Sequence, residues 1–239
     1  MKTIATNKIA GNKCAGLRRA FTLIELLTVI TVIGVLAALL FPAFSAVKRH
    51  ALLNHATAEM AQLETAIERY KAAYGFYPPG NANIPMNPAI NQLYYELTGT
   101  TNLPNGNFET LDGSSTISPA DVTSFFNVSG FMNFTKTGTG EDAPKAINFL
   151  PDLKSNQIGV VTNGSGDPAN LIVSFIDWPT AAGAQINVQS HNNPWRYNSS
   201  SPTNNPNSYD LWLQILIKPG QTNLICNWSS KVQINNPLP

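Results

Sequence analysis

Apolar and polar positions change rhythm twice along the chain. Residues 21 to 41 are apolar apart from Thr22, Glu25, Thr28 and Thr31. As a helix rising 1.5 Å per residue, such a run spans roughly 30 Å, the hydrocarbon thickness of a bilayer. Further on the pattern becomes one-sided. Leu53, Ala56, Met60, Leu63, Ile67, Tyr70 and Tyr74 recur at alternating spacings of three and four, one stripe of an amphipathic helix. Lys48, Glu59, Glu64, Glu68 and Lys71 fall on the opposite face. Gly75 and the Pro78-Pro79-Gly80 cluster end the pattern. Together the two halves predict one helix over about 21–75, opened or kinked by Pro42 near the membrane boundary. A helix of that length cannot be wrapped by its own small domain. Its first half needs lipid or other copies of itself.

Past residue 80 the helical rhythm is lost. Residues 80–155 are rich in turns, with two short helices expected. "NPAINQLYYELTG" offers Asn87 as a cap and Pro88 in the first turn, and "SPADVTSFF" places Ser118 and Asp121 at capping-box spacing. Beyond 155 the signal turns to strands, at 158–162, 171–178, 184–189, 209–217 and 222–228. Lys218-Pro219-Gly220-Gln221 puts Pro and Gly at the central positions of a type II turn, predicting a hairpin. Antiparallel strands need one face covered, and the stripe from Met60 to Tyr74 can supply the cover. The expected fold is α+β: a long N-terminal helix, transmembrane in its first half, packed by its C-terminal half on a small antiparallel sheet. The expected segments are a basic leader (1–20), the long helix (21–75), a variable turn-rich segment with short helices (76–155) and the sheet domain (156–239).

Charge sharpens this picture. The formal net charge of +1 averages two unlike parts. Residues 1–20 hold Lys2, Lys8, Lys13, Arg18 and Arg19 and no acid; without those five, 10 basic residues face 14 acidic ones, a net of −4. No basic face remains to neutralise a run of phosphates, so a nucleic-acid partner is not expected. The basic start predicts a cytoplasmic N-terminus and a C-terminal domain on the far side of the membrane, although Lys48, Arg49 and His50 dilute the bias. The pattern continues as helix beyond the apolar core instead of stopping there, which argues against a secretory signal peptide. With 12% charged residues, 17 Pro and 16 Gly, the composition suits an exported protein better than a cytosolic enzyme. Of the two cysteines, Cys14 has no apolar run ahead of it and does not read as a lipoprotein cysteine. Removal of a leader would leave Cys226 alone, with no internal disulfide.

"AFTLIEL" (20–26), after a short basic leader and before a long apolar helix containing Pro42, resembles the type IV prepilin class. That class includes type IV pilins and the pseudopilins of type II secretion. The resemblance implies that an inner-membrane peptidase cuts the Ala20–Phe21 bond and methylates the new amino terminus of Phe21. The residue before the cut is usually Gly in the class; Ala20 is the next smallest side chain. "LETAIERYKAAYGFYPP" (63–79) and "NPWRYNSSSPTNNPNSYDLW" (193–212) are similar to stretches of major pseudopilins. The expected function is therefore a structural subunit of a type II secretion pseudopilus, not an enzyme. The alternative is a major or minor type IV pilin with a surface- or substrate-binding C-terminal domain. Implied partners are a prepilin peptidase/N-methyltransferase, other copies of the chain, minor pseudopilins, an inner-membrane platform protein, an assembly ATPase, and membrane lipid before assembly. The implied location is the bacterial inner membrane, single-pass, and then a periplasmic or surface filament. In major pseudopilins a Gly/Asp-rich calcium loop follows the second stretch. Here "LQILIKPGQTNLICNW" follows, with no acid from residue 211 onward, so that loop is not recognisable. No metal or cofactor is therefore expected, calcium being the one that the resemblance would otherwise imply.

Glu25 is the candidate functional side chain of the helix. An acid at the centre of a span costs about 2.5–3.5 kcal/mol, and less near a helix end. A cut at Ala20–Phe21 would create a cation one turn away, on the amino terminus of Phe21. Both groups lie at the same end of one chain, so they would pair between axially displaced neighbours, and the resemblance implies that role in filament assembly. Elsewhere the candidates read as structural. His50 and His55 are five residues apart, off a common helix face even with Glu59 nearby, and there is no HExxH. His191 reads as loop, and Asp142, Asp152, Asp167 and Asp177 sit at turns. "TNGSGDP" lacks the Lys and following helix of a phosphate loop. Trp178, Trp195, Trp212 and Trp228 read as core or sheet-edge packing.

Overall fold

Leu23 begins a helix, α1, that continues to Tyr74 over 52 residues. The computed structural model describes residues 22–81, 88–135, 145–176, 193–218 and 220–235, without the side chains of 40–46 and 218. The chain divides into two compact units, residues 1–48 and 49–239. In the first unit the apolar side chains of α1 point outward all round, from Leu23 at 82% exposure to Leu39 at 68%. Among the described residues no helix is long and apolar enough to cross a membrane. Pro42 lies within α1, which is assigned as helix without a break from Leu23 to Tyr74; its side chain falls outside the described residues.

In the second unit the predicted stripe enters a core. Ala56, Leu63, Ala66, Ile67 and Tyr70 are buried, and Leu52, Leu53, Met60 and Tyr74 pack against them. Burial of each such Leu or Ile contributes about 1.5–3 kcal/mol. Gly75, at φ +83°, ends the helix, and its N–H closes on the Lys71 carbonyl at 2.8 Å.

The segment after the helix is more ordered than its turn-rich sequence suggests. It holds α2 (Leu93–Thr98), β1 (Thr100–Asn102), β2 (Phe108–Thr110), β3 (Thr116–Ile117), α3 (Pro119–Phe126) and β4 (Phe134–Thr135). The first helix starts later than expected from Pro88, and Asn87 is outside the described residues. Asn91 accounts for the delay: its amide donates to the Pro88 carbonyl (2.9 Å) and its Oδ1 accepts the Leu93 N–H (3.2 Å), fixing a turn ahead of the helix. α3 forms as expected, with Ser118 Oγ accepting the Asp121 N–H at 3.1 Å and Pro119 at the first turn. The strands form a sheet ordered β3-β2-β1-β4, antiparallel except for the parallel β1–β4 pair. Gly99 joins α2 to this sheet at φ +72°, and a Cβ there would stand 2.9 Å from the Ile147 carbonyl and from Leu111 Cδ1. Gly99→Ala is expected to cost about 2 kcal/mol, combining left-handed strain with that contact, and a lowered melting temperature checks it.

The remaining strands are β5 (Ile158–Thr162), β6 (Pro168–Ser174), β7 (Asn193–Pro194), β8 (Arg196–Asn198), β9 (Asp210–Lys218), β10 (Gln221–Cys226) and β11 (Ser229–Ile234). They form two antiparallel sheets, β5-β6-β7 and β11-β10-β9-β8. The strand expected at 171–178 spans Pro168–Ser174 instead, pulled earlier by pairing with β5, whose Thr162 faces Pro168. The one expected at 184–189 lies outside the described residues. The 218–221 hairpin is present: Lys218 pairs with Gln221, and Gly220 has the positive φ (+76°) that a type II turn requires. The α+β fold is as expected, but the described strands form three sheets rather than one.

Candidate functional site

The first turn of α1 is a reciprocal cap. Thr22 donates its backbone N–H and its hydroxyl to Glu25 Oε2, each at 2.8 Å, and Thr22 Oγ1 faces the Glu25 N–H at 3.3 Å. This is the T-x-x-E capping box, legible in the sequence but hidden when Glu25 is weighed only as a cost to lipid. The next hydroxyls are also answered within the helix: Thr28 bonds the Glu25 carbonyl (3.0 Å) and Thr31 the Leu27 carbonyl (2.8 Å). The apolar segment thus presents hydroxyls already partnered, and one exposed carboxylate at its start. Ala20 and Phe21 are outside the described residues.

In the second unit the two stretches that resemble pseudopilins touch each other. Tyr197 and Ser199 donate their hydroxyls to the Pro78 carbonyl, each at 2.7 Å, and Ser200 donates to the Gly80 carbonyl at 3.1 Å. Tyr77 meets Tyr209 edge to face at 4.9 Å, and Ser208 Oγ lies 3.3 Å from the Tyr77 hydroxyl. Gly80 is required by this approach, since a Cβ there would lie 2.9 Å from the Ser199 nitrogen. Along the same seam runs an open groove of about 540 Å³, bounded by Phe76, Tyr77, Pro202 and Pro206.

Two carboxylates hold the fold together where the sequence gives little warning. Glu59, expected on the solvated face of the helix, is half-buried and accepts the Ser174 hydroxyl (2.7 Å), the Gln157 amide (3.5 Å), the Trp195 indole and the Phe175 N–H. Sheet β5-β6-β7 reaches past the stripe to cover it. Burial pushes the Glu59 carboxyl up, against those hydrogen bonds. Glu96 in α2 is fully buried and accepts the Tyr70 hydroxyl (2.9 Å) and the N–H groups of Met132 (2.9 Å) and Asn133 (3.0 Å). Burial pushes it up as well. A glutamate in a six-residue helix with no exposed face carries no periodic signal, so sequence reasoning misses it.

Asp210 opens β9 and closes the loop before it. It is 1% exposed. Oδ2 accepts the N–H of Thr203 (2.7 Å), the N–H of Asn204 (2.9 Å) and the Asn204 side-chain amide (3.2 Å), while Oδ1 accepts the N–H of Asn205 (2.9 Å). Calcium requires about six to eight oxygen ligands. The residues here do not fit one, because the Asp210 oxygens face N–H donors. His50 is exposed; His55 is exposed and meets Phe175 edge to face at 5.2 Å. "TNGSGDP" is a tight β5–β6 connection in which Asn163 Oδ1 accepts the N–H groups of Ser165 (3.0 Å) and Asp167 (2.9 Å). Trp195 and Trp212 are buried and Trp228 packs on Trp212, while Trp178, His191, Asp142 and Asp177 lie outside the described residues.

The model of the prokaryotic N-terminal methylation motif matches residues 17–41. Over 67 residues the chain is 37% identical to the type II secretion system core protein G of Escherichia coli (strain K12), covering 28% of this chain and 46% of that protein. Over 61 residues it is 38% identical to the core protein G of Pectobacterium carotovorum subsp. carotovorum, covering 26% of this chain and 39% of that protein. The chain thus spans less than half the length of each of these relatives. No solved structure matches. The chain carries a prepilin-like methylation motif and is distantly similar to a major pseudopilin.

Proposed function

We propose that this chain is a structural subunit of a type II secretion pseudopilus, made as a prepilin-type precursor and used as a filament building block. The observation that carries the reading is the methylation motif at 17–41 set on a helix whose apolar side chains are exposed all round. A helix apolar on every side is at home in lipid or among copies of itself, not in water. The precursor resides in the inner membrane through residues 21–41, with the second unit in the periplasm. A prepilin peptidase cuts the Ala20–Phe21 bond and methylates Phe21. The new amino terminus then pairs with Glu25 of a neighbouring copy, while a platform protein and an assembly ATPase supply the motion and minor pseudopilins complete the filament. The contact between the 63–79 and 193–212 stretches supports the pseudopilin branch over a type IV pilin, because both stretches take part in one seam.

Mass spectrometry of the chain from cells containing the peptidase is expected to show an N-terminal methyl-Phe21. Recovery of the chain with residues 1–20 still attached would defeat the precursor reading.

A further inference from the structure

The loop ahead of β9 is closed by a hydrogen-bonded clasp that reaches the next hairpin. Asn205, held to Asp210 by its N–H, donates its side-chain amide to the Tyr209 carbonyl (3.0 Å) and to Asn227 Oδ1 (3.1 Å). Asn227, in the turn between β10 and β11, also accepts the Leu211 N–H (3.0 Å) and donates its amide to the Tyr209 carbonyl (2.9 Å). One buried carboxylate therefore organises residues 203–205, the start of β9 and the β10–β11 turn.

Four N–H donors converge on the Asp210 carboxylate, three on Oδ2 and one on Oδ1, against the roughly four acceptor sites that a carboxylate offers. Donors present the positive ends of their dipoles. A divalent cation approaching the same oxygens would meet those positive ends and would have to strip the bonds that shape the loop. Nor can a replacement set of charged ligands come from the strands beyond, since residues 211–239 contain no Asp or Glu. We infer that Asp210 and its amide donors do here the work that a bound cation does in a calcium-stapled loop, so that this loop and the groove it borders hold their shape without a divalent ion. The inference concerns the second unit alone and stands or falls independently of filament assembly.

Thermal unfolding of the full chain in detergent micelles, followed by tryptophan fluorescence, tests it. Curves in excess EGTA and in millimolar calcium are expected to coincide within about 1 °C, and calorimetric titration with calcium should show no saturable binding. A site filled about a hundredfold above its dissociation constant would raise the midpoint by roughly 5–10 °C. Such a rise, or one equivalent of saturable calcium binding, overturns the inference. Asp210→Asn keeps the size of the side chain but removes its charge and turns one oxygen into a donor facing other donors. It is expected to lower the midpoint by roughly 5 °C, equally in EGTA and calcium. A variant that melts with the wild type overturns the clasp. Should the variant fail to fold, the calcium comparison on the wild-type chain still decides.

Discussion

Glu25→Gln is expected to stop filament assembly while leaving the chain processed and in the membrane. Opposite charges 4 Å apart interact by about 4 kcal/mol at an effective dielectric of 20, a value typical of pairs near a protein surface. Losing that at each added subunit amounts to roughly a thousandfold in association. An apolar seam alone, such as Leu23 to Leu39 provides, attracts without fixing register, whereas a charge pair holds one axial offset. The capping box makes the choice of substitution matter. Glu25→Ala removes both the charge and the acceptor of the two Thr22 bonds, adding about 1 kcal/mol of lost helix capping. Gln keeps an acceptor oxygen for Thr22 and loses only the charge. Filament yield in sheared fractions, read beside the processed mass, separates the two roles. Wild-type yield from the Gln variant would leave Glu25 as a helix cap and nothing more.

The second large effect is on the fold. Glu96→Ala is expected to destabilise the second unit by about 3–5 kcal/mol, because it strands the Tyr70 hydroxyl and the N–H groups of Met132 and Asn133 in a buried site. Glu96→Gln, which keeps one acceptor, should cost less. Its pH dependence has a definite sign. Burial holds the carboxyls of Glu96, Glu59 and Glu64 above the ordinary glutamate value. From that ordinary value up to their folded values, the folded unit keeps protons that the unfolded chain has released, so stability falls as pH rises through the window. Burial also pushes Asp112 up, but hydrogen bonds from Thr110 and Ser114 outweigh it, and its contribution is lost only in stronger acid. The melting midpoint should therefore hold or rise from neutral to mildly acid pH, and Glu96→Gln should flatten the slope. A wild-type midpoint that falls steadily over that range would contradict the assignment.

What the sequence reveals of this fold follows from which forces act locally. The long helix, its stop at Gly75, the Ser118 cap and the Lys218–Gln221 hairpin are legible because each rests on neighbours within a few residues. β1 to β4 are two or three residues long, too short to display an alternating period, and are set by pairing across distant segments. β11 reads "SSKVQI", an edge strand whose outward residues blur the alternation. Glu59 lies just outside the apolar stripe, and only the sheet that wraps over it makes it half-buried. The start of α1 shows the opposite case, since Thr22 and Glu25 stand at capping-box spacing. The Asp210 clasp could be suspected from a run of Asn and Ser before an Asp, but its geometry depends on Asn227, contributed by the following hairpin.

The hydroxyls of Thr28 and Thr31, bonded to carbonyls of their own helix, have a mechanical consequence. A segment that answers its hydroxyls internally keeps the same hydrogen bonds whether lipid tails or neighbouring helices surround it. Passing from one environment to the other then exchanges one set of van der Waals neighbours for another, with no polar bond to break on the way. On the proposed reading, such a helix would act as a bearing surface, able to leave lipid for the company of other copies until the charge at its head fixes its register.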